Sequence, residues 1–349
     1  DETLLDLAHD FAKMNHWHYG HEIIKKAEIV ARTQGLFPIF ITAFKCSPDS
    51  FIMAYFKQIM DYYGKPYLIL QLDDHSASEG YDTRIEAAIE TFRGHQDTGV
   101  RSARPSIQLK RAFEDKVYLL AAYDQLQARL VQAAFQHAGI ETRLVAQTPD
   151  IITRGLQYND GQCLPISSIS LGIQEVIETE GLDPKQVVYF SNTDVNLACN
   201  LPQYPVMIKQ VLEKLGNGLE HVDVLVARFL PTDLPIELMY NIYMAYVLTG
   251  LIQKMTHRIR PRETDPGQTN QVLERSTERL IECYVQDLSK ETVFQEIVQD
   301  YQAIELQELC LPQVGIVGDL FVRDNDTYNQ HLVNVIEGAG AEVVTVPFM

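Results

Sequence analysis

Five cysteines in 349 residues are too few, and the wrong number, to staple a fold with disulfides. Thiols or metal ligands suit so sparse a set better, and they place the chain in a reducing compartment. Cations are also scarce. Against 47 Asp and Glu stand only 29 Lys and Arg, giving a formal net charge of −18. That balance argues against nucleic acid as a partner, because phosphate backbones are held by clustered Lys and Arg. Small anionic ligands stay open, since helix N-termini bind them without net positive charge. No apolar run reaches bilayer length. The nearest, residues 242–252, carries two tyrosines and a threonine and suits a buried helix rather than a membrane span. The first twenty residues, DETLLDLAHDFAKMNHWHYG, have neither a basic n-region nor an apolar h-region and do not read as a signal peptide. These absences together describe a soluble, cytoplasmic protein.

What is present is a globular composition, 46% hydrophobic and 22% charged, in a chain long enough for two cores. Residues 1–34 have helical spacing (Leu4, Leu5, Phe11, then Ile23, Ile24, Ala27) and read as two helices. LFPIFITAF is a short strand, Pro48 opens a helix over 48–63, residues 67–72 form a second strand, and a helix runs from about Thr83 to Phe92. A basic, Gly- and Pro-containing stretch then reads as a connector. Strands at 117–123, 141–147, 186–192 and 223–229 alternate with helices over 124–138, after Pro165 and after Pro205, the rhythm of parallel crossovers. From Pro235 to about Glu305 only long helices are expected. The strand QVGIVGD, a helix over 325–338 and a last strand, AEVVTVPF, resume the alternation. The predicted fold class is α/β, with Rossmann-like parallel units and a long helical insertion. The expected divisions are an α/β subdomain at 1–95, a linker at 96–115, an α/β subdomain at 116–230, a helical segment at 231–306 and the start of a further α/β subdomain at 307–349. Beginning on helices and ending on a strand, the chain reads as a fragment of a larger polypeptide.

Three cysteines share one local design. Cys46-Ser47-Pro48, Cys163-Leu164-Pro165 and Cys199-Asn200-Leu201-Pro202 each place a proline within three residues of the thiol. A thiolate at a helix start faces unpaired backbone N–H groups and the positive end of the helix dipole, which lowers its pKa and improves it as a ligand or nucleophile. The plainer alternative is a buried thiol that packs as a small hydrophobe.

The flanking residues resemble the 2-hydroxyacyl-CoA dehydratase and benzoyl-CoA reductase family. Cys46 followed by a strand, Asp73-Asp74-His75 and Thr83-Arg84-Ile85-Glu86-Ala87 is similar to that family's C-terminal subdomain. GQCLPISS is similar to its Cys-x-Pro helix start. ACNLPQYP resembles its Pro-Cys-Arg-Phe-Gly-Gln-Tyr motif through Gln203 and Tyr204, and Val314-Gly315-Ile316-Val317-Gly318-Asp319 resembles its Val-Gly-Glu strand-turn. The overall likeness is to very large proteins that fuse an activase to dehydratase-like domains, and it covers roughly residues 36–94 and 116–349. The resemblance implies an iron–sulfur cluster, of 4Fe-4S or related type, held by Cys46, Cys163 and Cys199. It also implies low-potential electrons from an ATP-dependent activase, and an acyl-CoA or other small-molecule substrate under anaerobic conditions. A homo-oligomer is compatible with it. A site with three cysteines leaves one iron open, a more reactive arrangement than four thiolates.

The chain departs from the family at Ser47, where the family has Gly, and at Asn200, Leu201 and Pro202, where it has Arg, Phe and Gly. Those changes motivate an alternative of another class, a cluster-free docking or regulatory domain. A third reading is an ordinary Rossmann-type binding module, although Gly315 and Gly318 fall short of the full dinucleotide fingerprint. Cys283 reads as core and Cys310 as a reserve ligand. The histidines at 16, 18 and 21 read as solvated helix-end residues rather than a zinc site. Asp73-Asp74-His75 falls where parallel strands place ligands, as well as where an ordinary solvated loop belongs.

Overall fold

The computed structural model describes residues 6–13, 17–43, 48–72, 79–96, 99, 101, 109, 115–159, 161–191, 201–226 and 234–345. In chain order the elements begin α1 (Asp6–Lys13), α2 (His18–Arg32), β1 (Ile39–Ala43), α3 (Pro48–Tyr63), β2 (Leu68–Leu72) and α4 (Glu79–Gly94). They continue β3 (Val117–Ala121), α5 (Gln125–His137), β4 (Thr142–Val145), α6 (Pro149–Gly155), α7 (Leu164–Glu180), β5 (Val187–Ser191), α8 (Tyr204–Leu215) and β6 (Asp223–Val226). Three long helices follow, α9 (Ile236–Ile259), α10 (Gln268–Val285) and α11 (Lys290–Gln302). The described chain closes with β7 (Gln313–Ile316), α12 (Leu320–Asp324), α13 (Leu332–Gly338) and β8 (Glu342–Thr345). The class is α/β with parallel strands and alternating helices. No described helix is long and apolar enough to cross a membrane.

Two compact units make up the chain, each discontinuous in sequence. Unit 1 takes residues 1–109, 155–167 and 193–215; unit 2 takes 110–154, 168–192 and 216–349.

In unit 1, β1 and β2 run parallel, with Ile39 opposite Leu68 and Ala43 opposite Leu72. Phe40 and Thr42 of β1 point inward while Ile39 and Ile41 remain exposed, so one face of this pair is covered. The covering helix is α3, whose Phe56 ring meets Phe40 at 5.1 Å. Nearly all of its inner stripe, including Phe51, Tyr55, Ile59 and Met60, is buried. Phe11 of α1 stacks on Tyr55 at 4.6 Å. A buried carboxylate ties the three helices together. Glu28 of α2 accepts from the Ala8 amide at 2.7 Å and from the Tyr63 hydroxyl at 2.9 Å. Buried charge is tolerated when it is fully hydrogen-bonded in this way. Burial and the bond to Glu28 push the Tyr63 phenol up to about 12.

Unit 2 holds a four-stranded parallel sheet of order β4-β3-β5-β6. The chain builds outward from β3 to β4, then returns to the other side of β3 for β5 and β6. The strand order therefore reverses between β3 and β5, the kind of switch point at which open α/β sheets bind ligands. Asp124 caps α5 by accepting from the Gln127 amide at 2.7 Å, and Gly139, at φ +72°, ends the helix in a left-handed turn. Tyr118, Phe135 and Phe190 share one core with Ile242 and Ile252 of α9 and with Leu280 and Tyr301 from the next two helices. The helical region 235–305 thus completes this core rather than standing apart from it.

Gly172 of α7 lies against β4. A Cβ there would stand 2.5 Å from Val145 Cγ1 and 3.1 Å from the Ala146 carbonyl oxygen, so only glycine allows that approach.

The helix expected over 325–338 is broken. Asn325 ends α12, and its side-chain oxygen accepts from the Thr327 and Tyr328 amides, each at 3.1 Å. Gln330 and His331 then take left-handed φ values of 56° and 57° before α13 begins. Local side-chain bonds of this type compete with helix. Helix α4 also begins at Glu79, four residues before the expected start.

Candidate functional site

Cys46 and Cys199 lie outside the described residues, as do Asp73-Asp74-His75 and His16. Cys163, helix α3 after Cys46, and the described residues that follow Cys199 as far as Leu215 belong to unit 1. Described residues close to each cysteine in sequence do converge. Ser50 of α3, Gln162 beside Cys163, and Met207 of α8 line a single cleft of about 400 Å³. This is within the usual size range of small-molecule sites.

Cys163 stands half-buried at the residue before α7. Its position is fixed by a short loop. Asn159 donates from Nδ2 to the Gln162 carbonyl at 3.0 Å and accepts the Gly161 amide at 2.7 Å, while Gly161 sits at φ +105°. The Cys163 carbonyl then accepts the Ile166 amide at 3.1 Å, the opening turn of the helix. The sequence expectation of a thiol at a helix start therefore holds at this cysteine.

The two helices that wall the cleft are joined in their buried interior. Tyr55 of α3 donates its hydroxyl to Gln203 Oε1 at 2.6 Å, and both residues are fully buried. Gln203 is one of the two residues on which the resemblance at ACNLPQYP rests, and here it serves as the acceptor that locks the entry to α8 onto α3. Desolvation drives the Tyr55 phenol well above its ordinary range.

Sequence reasoning did not find the polar residues that line the cleft. Gln58 of α3 and Gln210 of α8 are among them, and their Oε1 and Nε2 atoms respectively are closed off from solvent with no hydrogen-bond partner. Lys57, Asp61, Glu213 and Lys214 also line the cleft. Burial holds the Asp61 and Glu213 carboxyls above their usual range, with Lys57 and Lys209 respectively pulling the other way. The signal was faint because isolated glutamines on amphipathic helices resemble ordinary surface residues.

The remaining candidates separate cleanly. Cys283 is fully buried in α10, donates to the Leu288 carbonyl at 3.4 Å, and has its thiol pKa raised by burial, which makes it a core residue. Cys310 is exposed and belongs to unit 2. Arg84 donates to the Ile69 carbonyl of β2, a structural contact within its own unit. His18 is exposed at the first turn of α2, in keeping with a helix-end role.

Unit 2 carries a second notable group at its switch point. The Asp124 carboxyl follows the end of β3, accepts from Gln127 N at 2.7 Å and from Gln253 Nε2 at 2.9 Å, and is pushed up to about 7. Burial is the main cause, the Gln127 amide opposes it, and Asp326 and Asp324 add to it. Asn325 Nδ2 donates to the Ala122 carbonyl at 3.1 Å, and Thr327 Oγ1 to the Gln147 carbonyl at 2.9 Å, so the turn after α12 covers the ends of β3 and β4.

Among the described residues no group of three or more His, Cys, Asp or Glu converges on a metal position. Cys163, a half-buried thiol, is of the donor type that iron–sulfur clusters take; it adjoins Gln162, which lines the cleft, but is not itself one of the lining residues. Compared with protein-family models, with curated proteins and with solved structures, the chain matches none.

Proposed function

We propose that this chain is an iron–sulfur component of dehydratase or reductase type, which receives low-potential electrons from an ATP-dependent activase and acts on an acyl-CoA or other small substrate. One observation carries the reading. The segments that follow Cys46, precede Cys163 and follow Cys199 meet around one cleft within one unit.

In this reading Cys46, Cys163 and Cys199 hold the cluster, which supplies one-electron transfer when bound. The chain's own residues provide the frame. The Asn159 loop sets Cys163 at the start of α7, and the buried Tyr55–Gln203 bond fixes α3 against the entry to α8. The apolar side chains of Met53, Met207 and Val211 limit water on the cleft floor. Water exclusion matters at such a site because the surrounding dielectric tunes the potential.

A second reading, a cluster-free docking domain, is favoured by the use of Gln203 as a buried structural acceptor. In that case the surviving motif residues are kept for packing. Iron and acid-labile sulfide analysis of anaerobically purified protein separates the two. The cluster reading expects both elements in the wild type and their loss in Cys163→Ala. The docking reading expects neither in either protein.

A further inference from the structure

Helix α9 is apolar on two faces, and the core of unit 2 takes only one of them. Leu238, Ile242, Ala245, Leu248 and Ile252 point into that core. Ile236, Tyr240, Tyr243 and Leu251 lie on the opposite side, where they are 66%, 55%, 60% and 41% exposed, with half-buried Val247 between the last two. Positions 236, 240, 243, 247 and 251 form one continuous helical stripe. A surface helix normally turns a polar face to water, and one that is apolar all round belongs between two partners. From Leu238 to Gln253 this helix carries no charged residue at all.

The two ends of the stripe say what covers it. Lys254 and Arg258 continue its line beyond Leu251; both are exposed, and neither forms an ion pair with a described residue. At the other end Glu237 adjoins Ile236, its side chain 74% exposed and its Oε1 3.2 Å from His137 Nε2. The stripe is therefore acidic at its start, apolar and aromatic along its middle, and basic at its end. Turned end for end, it complements itself. An antiparallel pair with Val247 on the axis sets Tyr243 against the second copy's Leu251 and Tyr240 against its Lys254. The same pairing brings Glu237 to the second copy's Arg258. Each contact occurs twice, as an isologous interface requires. Lysine over a tyrosine ring and arginine beside a carboxylate are both favourable pairings. The chain's formal charge of −18 opposes self-association in general, so copies approach most easily where acidic side chains are few.

We infer that the outer face of α9 is a dimer interface that takes a second copy of this chain, antiparallel, about a two-fold axis at Val247. The face lies in unit 2 and does not depend on the cluster, so its failure leaves the iron analysis untouched. Two helix faces of 24 residues give an interface at the small end of specific ones, about 1,200 Å² in all, and a micromolar dimer is expected.

The test is sedimentation velocity of the full chain over protein concentrations from about 1 to about 200 μM. The expected result is a concentration-dependent shift from monomer to dimer. Tyr243→Glu puts an acid at the centre of the face and weakens the dimer about tenfold or more. Glu237→Arg and Arg258→Glu each set like charges together twice and weaken it about threefold or more, whereas the double variant restores the opposite charges and the affinity. All three positions are exposed, and far-UV circular dichroism checks that each variant is folded. A monomer at every concentration, a dimer indifferent to Tyr243→Glu, or a double variant no tighter than the single ones overturns the assignment.

Discussion

The hydroxyl of Tyr55 donates to Gln203 Oε1 at 2.6 Å between two side chains that solvent does not reach. The bond joins residues 148 positions apart and fixes one wall of the cleft to the other. Tyr55→Phe removes the donor of this buried bond. The expected cost is about 1–2 kcal/mol of unfolding free energy, read from urea denaturation with an unchanged slope. An unaltered midpoint contradicts the structural role given to Gln203.

Gly172→Ala tests the packing of α7 on β4. The added methyl would meet Val145 Cγ1 at 2.5 Å, and the carbonyl of Ala146 blocks an easy retreat. Overpacking of this kind costs about 1–3 kcal/mol, although alanine is the better helix former. A stabilised variant means that α7 stands farther from β4 than described.

Asp124 makes stability depend on pH in a defined direction. Its carboxyl, pushed up to about 7 by burial, keeps its proton in the folded protein at pH values where the unfolded chain has lost it. That contribution is complete below the unfolded value of about 4 and is lost as pH rises through about 7. Asp124→Asn keeps an acceptor for the Gln127 amide and removes the titration. Its denaturation midpoint, measured from pH 4 to 8, falls less with rising pH than that of the wild type.

His257 acts in the opposite sense. Burial, with Arg260 adding to it, lowers this imidazole to about 4, and its Nδ1 has no hydrogen-bond partner. The unfolded chain takes up a proton near pH 6.5 that the folded chain refuses, so stability is lost as pH falls from there through about 4. His257→Gln removes that acid-side loss. The two variants change the pH profile of the midpoint in opposite directions, and a common direction contradicts at least one assignment.

Much of the fold was legible because its elements carry strong local signals. Pro48 marks the first residue of α3, and the helix ends at Tyr63 as its spacing predicts. The apolar runs at 117–121 and 187–191 are sheet strands buried by helices, and Asp124 and Gly139 bound α5 where their chemistry requires. The turn at 325–331 was missed although its residues, Asn-Asp-Thr-Tyr-Asn-Gln-His, are polar and of the kind that turns favour. Only the side-chain bonds of Asn325 to two following amides show why the helix stops. The cleft was not legible at all. Residues 155–167 and 193–215 join the first unit from within the second part of the sequence, so a cleft lined by both Gln58 and Gln210 depends on long-range packing. At the proposed cluster ligands, the thiol before α7 was predictable from Cys163-Leu164-Pro165, whereas the use of Gln203 as a partner of Tyr55 was not.

The most direct test of the central claim is the iron and acid-labile sulfide content of the protein purified and handled without oxygen, read together with its visible absorption. A cysteine-held cluster predicts a brown protein with both elements present and broad thiolate-to-iron bands, and a Cys163→Ala protein that is folded and has lost them. A colourless, iron-free wild type, or a Cys163→Ala protein with its full iron content, contradicts the account.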